Sequence, residues 1–187
     1  MDYIAAQLAS AKLADWIGVV AFAVAALLCR RAAMSVGERG GGRERWFWFG
    51  ASALLLFFAL NELLDLQTLL TAAGRRIARE GDWYRERRTF QLWFVVGLGS
   101  AVGVGLLVAA WLLRASSRWV LLALAGFVVL AGFDVLRAAS MHHVDQILRR
   151  GSTGFGVGTV IEFAAIALIA ASAYLSARPP ISGWPAR

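Results

Sequence analysis

The sequence predicts an all-α integral membrane bundle of about five transmembrane helices. Three observations carry that expectation. The 187 residues are 59% hydrophobic, with a mean hydropathy of +0.64. Charged residues make up 17% of the chain, below the roughly 25% of soluble domains. Five apolar windows also approach the roughly 20 residues needed to cross a hydrocarbon core about 30 Å thick. They cover residues 16–33, 46–72, 90–113, 118–137 and 154–177 of a single transmembrane domain, residues 1–187.

The first window follows Asp2, Lys12 and Asp15. A cleavable signal would begin with a basic segment, so no cleavage is expected. The loop over residues 30–45 holds SVGERGGGRER and has little apolar area to bury, so it reads as a mobile linker. The second window contains FFALNELLDLQTLLT, with Asn61, Glu62 and Asp65 inside an apolar run. Loop two, GRRIAREGDWYRERRTFQ, suits a short interfacial helix over residues 75–88, broken near Gly81. Loop three is a tight RASSR turn. The fourth window ends in FDVLRAASMHHVDQILRR and the fifth carries Glu162, before a tail with Pro179, Pro180 and Pro185.

With five spans, loops two and four share one membrane face, and loops one and three and the tail share the other. Trp16, Trp83 and Trp93 mark the first face, and Trp46, Trp48, Trp111 and Trp119 the second, as interfacial belts. Basic residues number nine at the second face and ten at the first, so the total does not orient the chain. The first helix does: Arg30, Arg31, Arg39, Arg43 and Arg45 follow it, which favours an extracytoplasmic N-terminus and a cytoplasmic C-terminus. The net charge of +7 is almost all arginine and points to membrane lipids, with no nucleic acid expected. Cys29 is the single cysteine, which excludes an intrachain disulfide, a CxxC pair and a CxxCH haem attachment, and reads as a small buried residue.

Chemistry is expected at the face of loops two and four. A charged side chain at mid-bilayer costs about 2.5–3.5 kcal/mol, so intramembrane carboxylates need partners or a polar cavity. Asn61 and Asp65, four apart, share a helix face, with Glu62 on a neighbouring one. Asp134 and Arg137, three apart, suit an intrahelical pair. Beyond them His142 and His143 diverge by about 100°, so no haem clamp is expected, whereas the spacing of His142 and Asp145 suits one metal or one proton relay. Glu162 follows Gly151, Gly154, Gly156 and Gly158. With no strand before those glycines no nucleotide is expected, and close helix packing explains them better.

The strings LNELLDLQ, GRRIAREGDWYRERRTFQ and RAASMHHVD, with Glu162, resemble a family of small bacterial multi-pass membrane proteins to which no activity is attached. The resemblance spans about residues 60–165. It implies a five-helix layout in the plasma (inner) membrane of a bacterium. Its signature positions would be Asn61, Asp65, Gln67, Trp83, Tyr84, Arg87, Arg88, Gln91, Arg137, Ser140, His142, His143, Asp145 and Glu162. Glu62 stands where some relatives carry a basic residue. A thinner likeness, through Ser140, His142 and the carboxylates, is to membrane hydrolases of the alkaline ceramidase type, which imply a zinc site. The chain lacks their paired HxxxH ligands and is two helices shorter.

The leading expectation is a metal-dependent hydrolase of a lipid or lipid-linked anionic substrate. Asp65 and Glu162 are its candidate catalytic carboxylates, and His142, His143 and Asp145 the candidate ligands of zinc or another divalent metal. Asn61, Arg76, Tyr84, Arg87, Arg88 and Arg137 are candidates for substrate binding, the arginines gripping anionic oxygens bidentately. An accessory subunit or assembly factor, with a membrane-protein partner or a second copy of the chain, is the alternative. A small proton-coupled transporter is the third reading.

Overall fold

The computed structural model describes residues 13–64, 87–139 and 156–179. These residues form five helices and no strand: α1 Leu13–Glu38, α2 Gly42–Leu64, α3 Arg87–Leu113, α4 Arg118–Ala139 and α5 Val157–Ala177. Three spans, Trp16–Glu38, Arg118–Val135 and Val157–Ala177, are long and apolar enough to cross a membrane, and α3 adds a shorter apolar run, Gly99–Leu113. The protein is an all-helical membrane bundle.

Helix α1 lies between α2 and α5, and α4 packs between α5 and α3. The sequence of α1 explains its central place. Phe22, Ala25, Ala26, Cys29, Ala32, Ala33 and Val36 recur at helical spacing and are all buried. Five of the seven are Ala or Cys, which lets neighbouring backbones approach closely. Close approach matters here, because lipid tails are as apolar as leucine and van der Waals fit must hold the helices together. Val20, Val24 and Leu27 line the other side of α1 at 50–65% exposure, a surface for lipid.

Helix α2 runs antiparallel to α1. Phe58 stacks on Phe22 with ring centroids 5.8 Å apart, and the Ser52 hydroxyl donates to the Ala26 carbonyl at 2.9 Å. Interhelical bonds of this kind average about 0.6 kcal/mol in membranes. Helices α4 and α5 are also antiparallel and approach closely at two glycines. A methyl group added to Gly126 would meet Ile169 Cγ1 at 2.7 Å and the Ala165 carbonyl at 3.2 Å, while one on Gly158 would meet the Phe133 ring at 2.6 Å. Packing thus accounts for Gly158, as its sequence suggested. Cys29 is fully buried, also as expected.

Two expectations are corrected. The first loop is no mobile linker: α1 continues to Glu38 and α2 starts at Gly42, so three residues make the connection. Gly40, at φ 82°, donates from its N–H to the Gly37 carbonyl at 3.1 Å, and Gly41 donates to Val36 at 3.0 Å. This is the paired-bond helix ending that needs a left-handed residue, which glycine supplies without strain. Trp48 is the second correction. It is fully buried inside the bundle and does not belong to an interfacial belt, unlike Trp46 and Trp111, which are 74% and 63% exposed.

Candidate functional site

The C-termini of α2 and α4 and the N-termini of α1, α3 and α5 lie at one end of the bundle, where Asp15 falls in the first turn of α1 and three further acids fall within described helices. Glu62 prolongs the buried stripe of α2, seven residues after Leu55 and three after Ala59. Its side chain packs toward α1, where a methyl group on Gly18 would touch its Cγ at 3.5 Å and Oε1 at 3.8 Å. Asp134 continues the buried stripe of α4, seven after Phe127 and four after Leu130. Glu162 lies four after Gly158 and four before Ile166, on the inward stripe of α5. None of the three faces lipid as Leu60 or Val160 does, and each is engaged by a partner. The physical cause is the cost of a carboxylate against hydrocarbon, which rotates each helix until its acid faces protein.

Of the sequence candidates, Asn61 sits partly buried in the last turn of α2, on the neighbouring face to Glu62. Arg87 and Arg88 open α3, and Arg137 lies in the last turn of α4. Asp65, Arg76, Tyr84, His142, His143 and Asp145 lie outside the described residues, as do Gln67, Trp83 and Ser140. Among the described residues no three His, Cys, Asp or Glu side chains gather as metal ligands, and neither histidine is among them. Sequence reasoning undervalued Glu62 and Asp134. Their spacing from Leu55 and Phe127 was the signal, since seven residues are two helical turns and restore the same face.

The opposite end is a built polar structure. Glu44, in the first turn of α2, accepts the Ser117 backbone N–H at 2.6 Å and the Ser117 hydroxyl at 3.0 Å, closing the N-terminus of α4. Arg43 donates to the Leu112 carbonyl at 3.3 Å, at the end of α3. Arg39 donates to the Ser35 carbonyl of α1 at 2.9 Å, and to those of Ser176 and Arg178 at the end of α5 at 2.6 and 3.2 Å. Helix ends leave carbonyls and N–H groups unpaired. Three side chains around the α1–α2 turn therefore satisfy ends of the other three helices. Around them arginines lie over aromatic rings: Arg45 on Phe49 at 5.5 Å, Arg114 on Trp111 at 5.5 Å, Arg118 on Trp119 at 4.6 Å and Arg178 on Tyr174 at 4.5 Å. Among the described residues this end holds Arg30, Arg31, Arg39, Arg43, Arg45, Arg114, Arg118 and Arg178 against Glu38 and Glu44.

Compared with family models, curated proteins and solved structures, the chain matches none. The chemistry available is thus what the residues themselves offer: inward carboxylates at one end, and cations stacked on aromatics at the other.

Proposed function

We propose that the acidic end carries the function, as a membrane-embedded, metal-dependent hydrolase of a lipid or lipid-linked anionic substrate. The single observation behind this reading is that Glu62, Asp134 and Glu162 extend inward stripes on three helices at one end. Loops two and four, with their arginines and histidines, leave the helices at that same end. His142 and Asp145, with His143 beside them, would hold the metal, whose chemistry there is to acidify a bound water toward pKa about 7. Asp65 and Glu162 would accept protons, and Arg76, Arg87, Arg88 and Arg137, with Tyr84 and Asn61, would orient the anionic group.

The five arginines that follow the first helix, Arg30, Arg31, Arg39, Arg43 and Arg45, support placing that end in the cytoplasm of a bacterium, with the N-terminus and the acidic end outside. Elemental analysis of the purified protein tests the metal: a stoichiometric divalent ion, lost in His142→Ala, is expected. Substoichiometric metal that His142→Ala does not change would end this reading.

A second reading is favoured by the partners that Glu62, Asp134 and Glu162 already have. In that reading the carboxylates form a structural network and the protein is an accessory subunit or assembly factor. Purification in mild detergent separates the two, because an accessory subunit brings a stoichiometric membrane-protein partner.

A further inference from the structure

At the end away from Glu62, Asp134 and Glu162, α2, α3, α4 and α5 each have an arginine over an aromatic ring, and the order along the helix is the same each time. Phe49 stands four residues after Arg45 at the start of α2, and Tyr174 four before Arg178 at the end of α5. Trp111 stands three before Arg114 at the end of α3, and Trp119 directly follows Arg118 at the start of α4. Each ring is on the bundle side of its arginine, and outside α4 it is deeper by about one helical turn, roughly 5 Å. Two of the cations are held further. The Arg45 stem lies against the end of α1, where a methyl group on Gly37 would meet its Cδ at 2.8 Å, and Arg178 donates from Nη2 to the Tyr174 hydroxyl at 2.9 Å. All four arginines are exposed, and contact with a ring leaves guanidinium N–H donors unspent.

Each pair also closes an outward apolar track on its own helix. On α2 the exposed Leu60 and Leu56 lead to Phe49, seven residues before Leu56 and so two turns along the same face. On α3 the exposed Val104 and Leu107 lead to Trp111 and Arg114 at the same seven-residue spacing. On α4 Arg118 stands four before the exposed Leu122, and Val129 follows seven after it. On α5 Val160, Ala167 and Tyr174 recur every seven residues and are all exposed, with Arg178 one turn beyond. Outward apolar side chains on a membrane helix meet acyl chains, and the aromatic ends of such tracks suit the headgroup layer. A lipid lying along one of these tracks therefore brings its phosphate level with an arginine, whose fork matches phosphate oxygens. Cations at that depth favour lipids of net negative charge.

We propose that the four arginine–aromatic pairs form a belt that binds the headgroup phosphates of anionic phospholipids in the adjoining leaflet, one lipid to each pair. The belt lies on the outer surface of the bundle, away from the acidic end, and does not depend on the reading given there. Its role is to fix the depth of this end in the leaflet and to make stability rise with anionic lipid.

The test uses full-length protein, delipidated in mild detergent and titrated with phosphatidylglycerol or phosphatidylcholine, with lipid adducts counted by native mass spectrometry. Phosphatidylglycerol should saturate at about four per chain, one for each pair, with phosphatidylcholine washing off. Arg114→Gln should lower that count by one. Trp111→Leu, which keeps the charge, should weaken retention at one site about threefold, the contribution of a cation over an exposed ring. Arg31→Gln and Arg43→Gln remove cations that lie over no ring among the described residues and should leave the count unchanged. Equal retention of the two lipids, or no change in Arg114→Gln or Trp111→Leu, would overturn the proposal. A loss in Arg31→Gln and Arg43→Gln equal to that in Arg114→Gln would overturn it in favour of diffuse charge. Displacement of the lipid by millimolar inorganic phosphate would overturn it too, by making each pair a site for free anion. Thermal melting without added lipid checks folding, and Arg114→Gln and Trp111→Leu should melt unchanged because both residues are exposed. If either melts early, Arg178→Gln and Tyr174→Leu repeat the comparison on α5 with the same expected losses.

Discussion

The Glu44 carboxylate receives both the backbone N–H and the hydroxyl of Ser117, so a side chain from the first turn of α2 closes the start of α4 across 73 residues of sequence. Serine at such a position ordinarily caps its own helix. Here its hydroxyl is donated outward, and an acid from another helix supplies the negative charge that the positive end of α4 favours.

Glu44→Ala should therefore destabilise the protein by about 1–2 kcal/mol, the range for lost caps and charged hydrogen bonds. Ser117→Ala, which keeps the backbone bond, should cost about 0.5–1 kcal/mol on the same scale. The double variant should lose little more than Glu44→Ala, since both changes break one interaction. Detergent melts of the four proteins check this, and fully additive losses would mean that the two residues act apart.

At Gly40 the backbone itself sets the residue. With φ at 82°, Gly40→Val should cost about 1–2 kcal/mol and Gly40→Asn less, because asparagine tolerates the left-handed region better. The measurement is the shift in melting midpoint, and equal stability of Val and Gly would show that the turn had rearranged.

Two glycines should respond in opposite directions. Gly126→Val would drive methyl groups into Ile169 and the Ala165 carbonyl, with an expected loss of about 1–3 kcal/mol. Gly103 in α3 has open space around it, so Gly103→Ala should be neutral or stabilise by up to about 0.5–1 kcal/mol through helix propensity. Melting curves for the pair separate packing from propensity.

Cys29 is fully buried against α1's neighbours, so its thiol should stay unreactive toward a maleimide in mild detergent and react once the protein is denatured. Quantitative labelling before denaturation would mean that the α1 interface opens readily.

The bundle was legible in the sequence because length and apolarity alone mark a membrane helix. Loop three was legible as the tight RASSR turn that joins Leu113 to Arg118, whereas loop one was harder to read. SVGERGGGRER has the composition of a linker, yet one of its glycines supplies the left-handed turn, and Arg39, Arg43 and Glu44 find partners only after distant helix ends are brought beside them. Trp48 was misplaced for a related reason: proximity to a helix end predicts the headgroup layer, whereas the direction of the side chain depends on which stripe faces α1. At the acidic end, the inward direction of Glu162 was expected from the cost of leaving it in lipid. Glu62 was set aside for its identity, when its spacing from Trp48 and Leu55 already placed it on the inner stripe.

Glu62, Asp134 and Glu162 face protein and not lipid, most sharply where Glu62 packs against Gly18. In a Cys29→Ser background, Gly18→Cys combined with Glu62→Cys should oxidise to an intramolecular disulfide in native membranes, while Gly18→Cys with the lipid-facing Leu60→Cys should not. Cross-linking of the 18–60 pair with none between 18 and 62 would contradict the account.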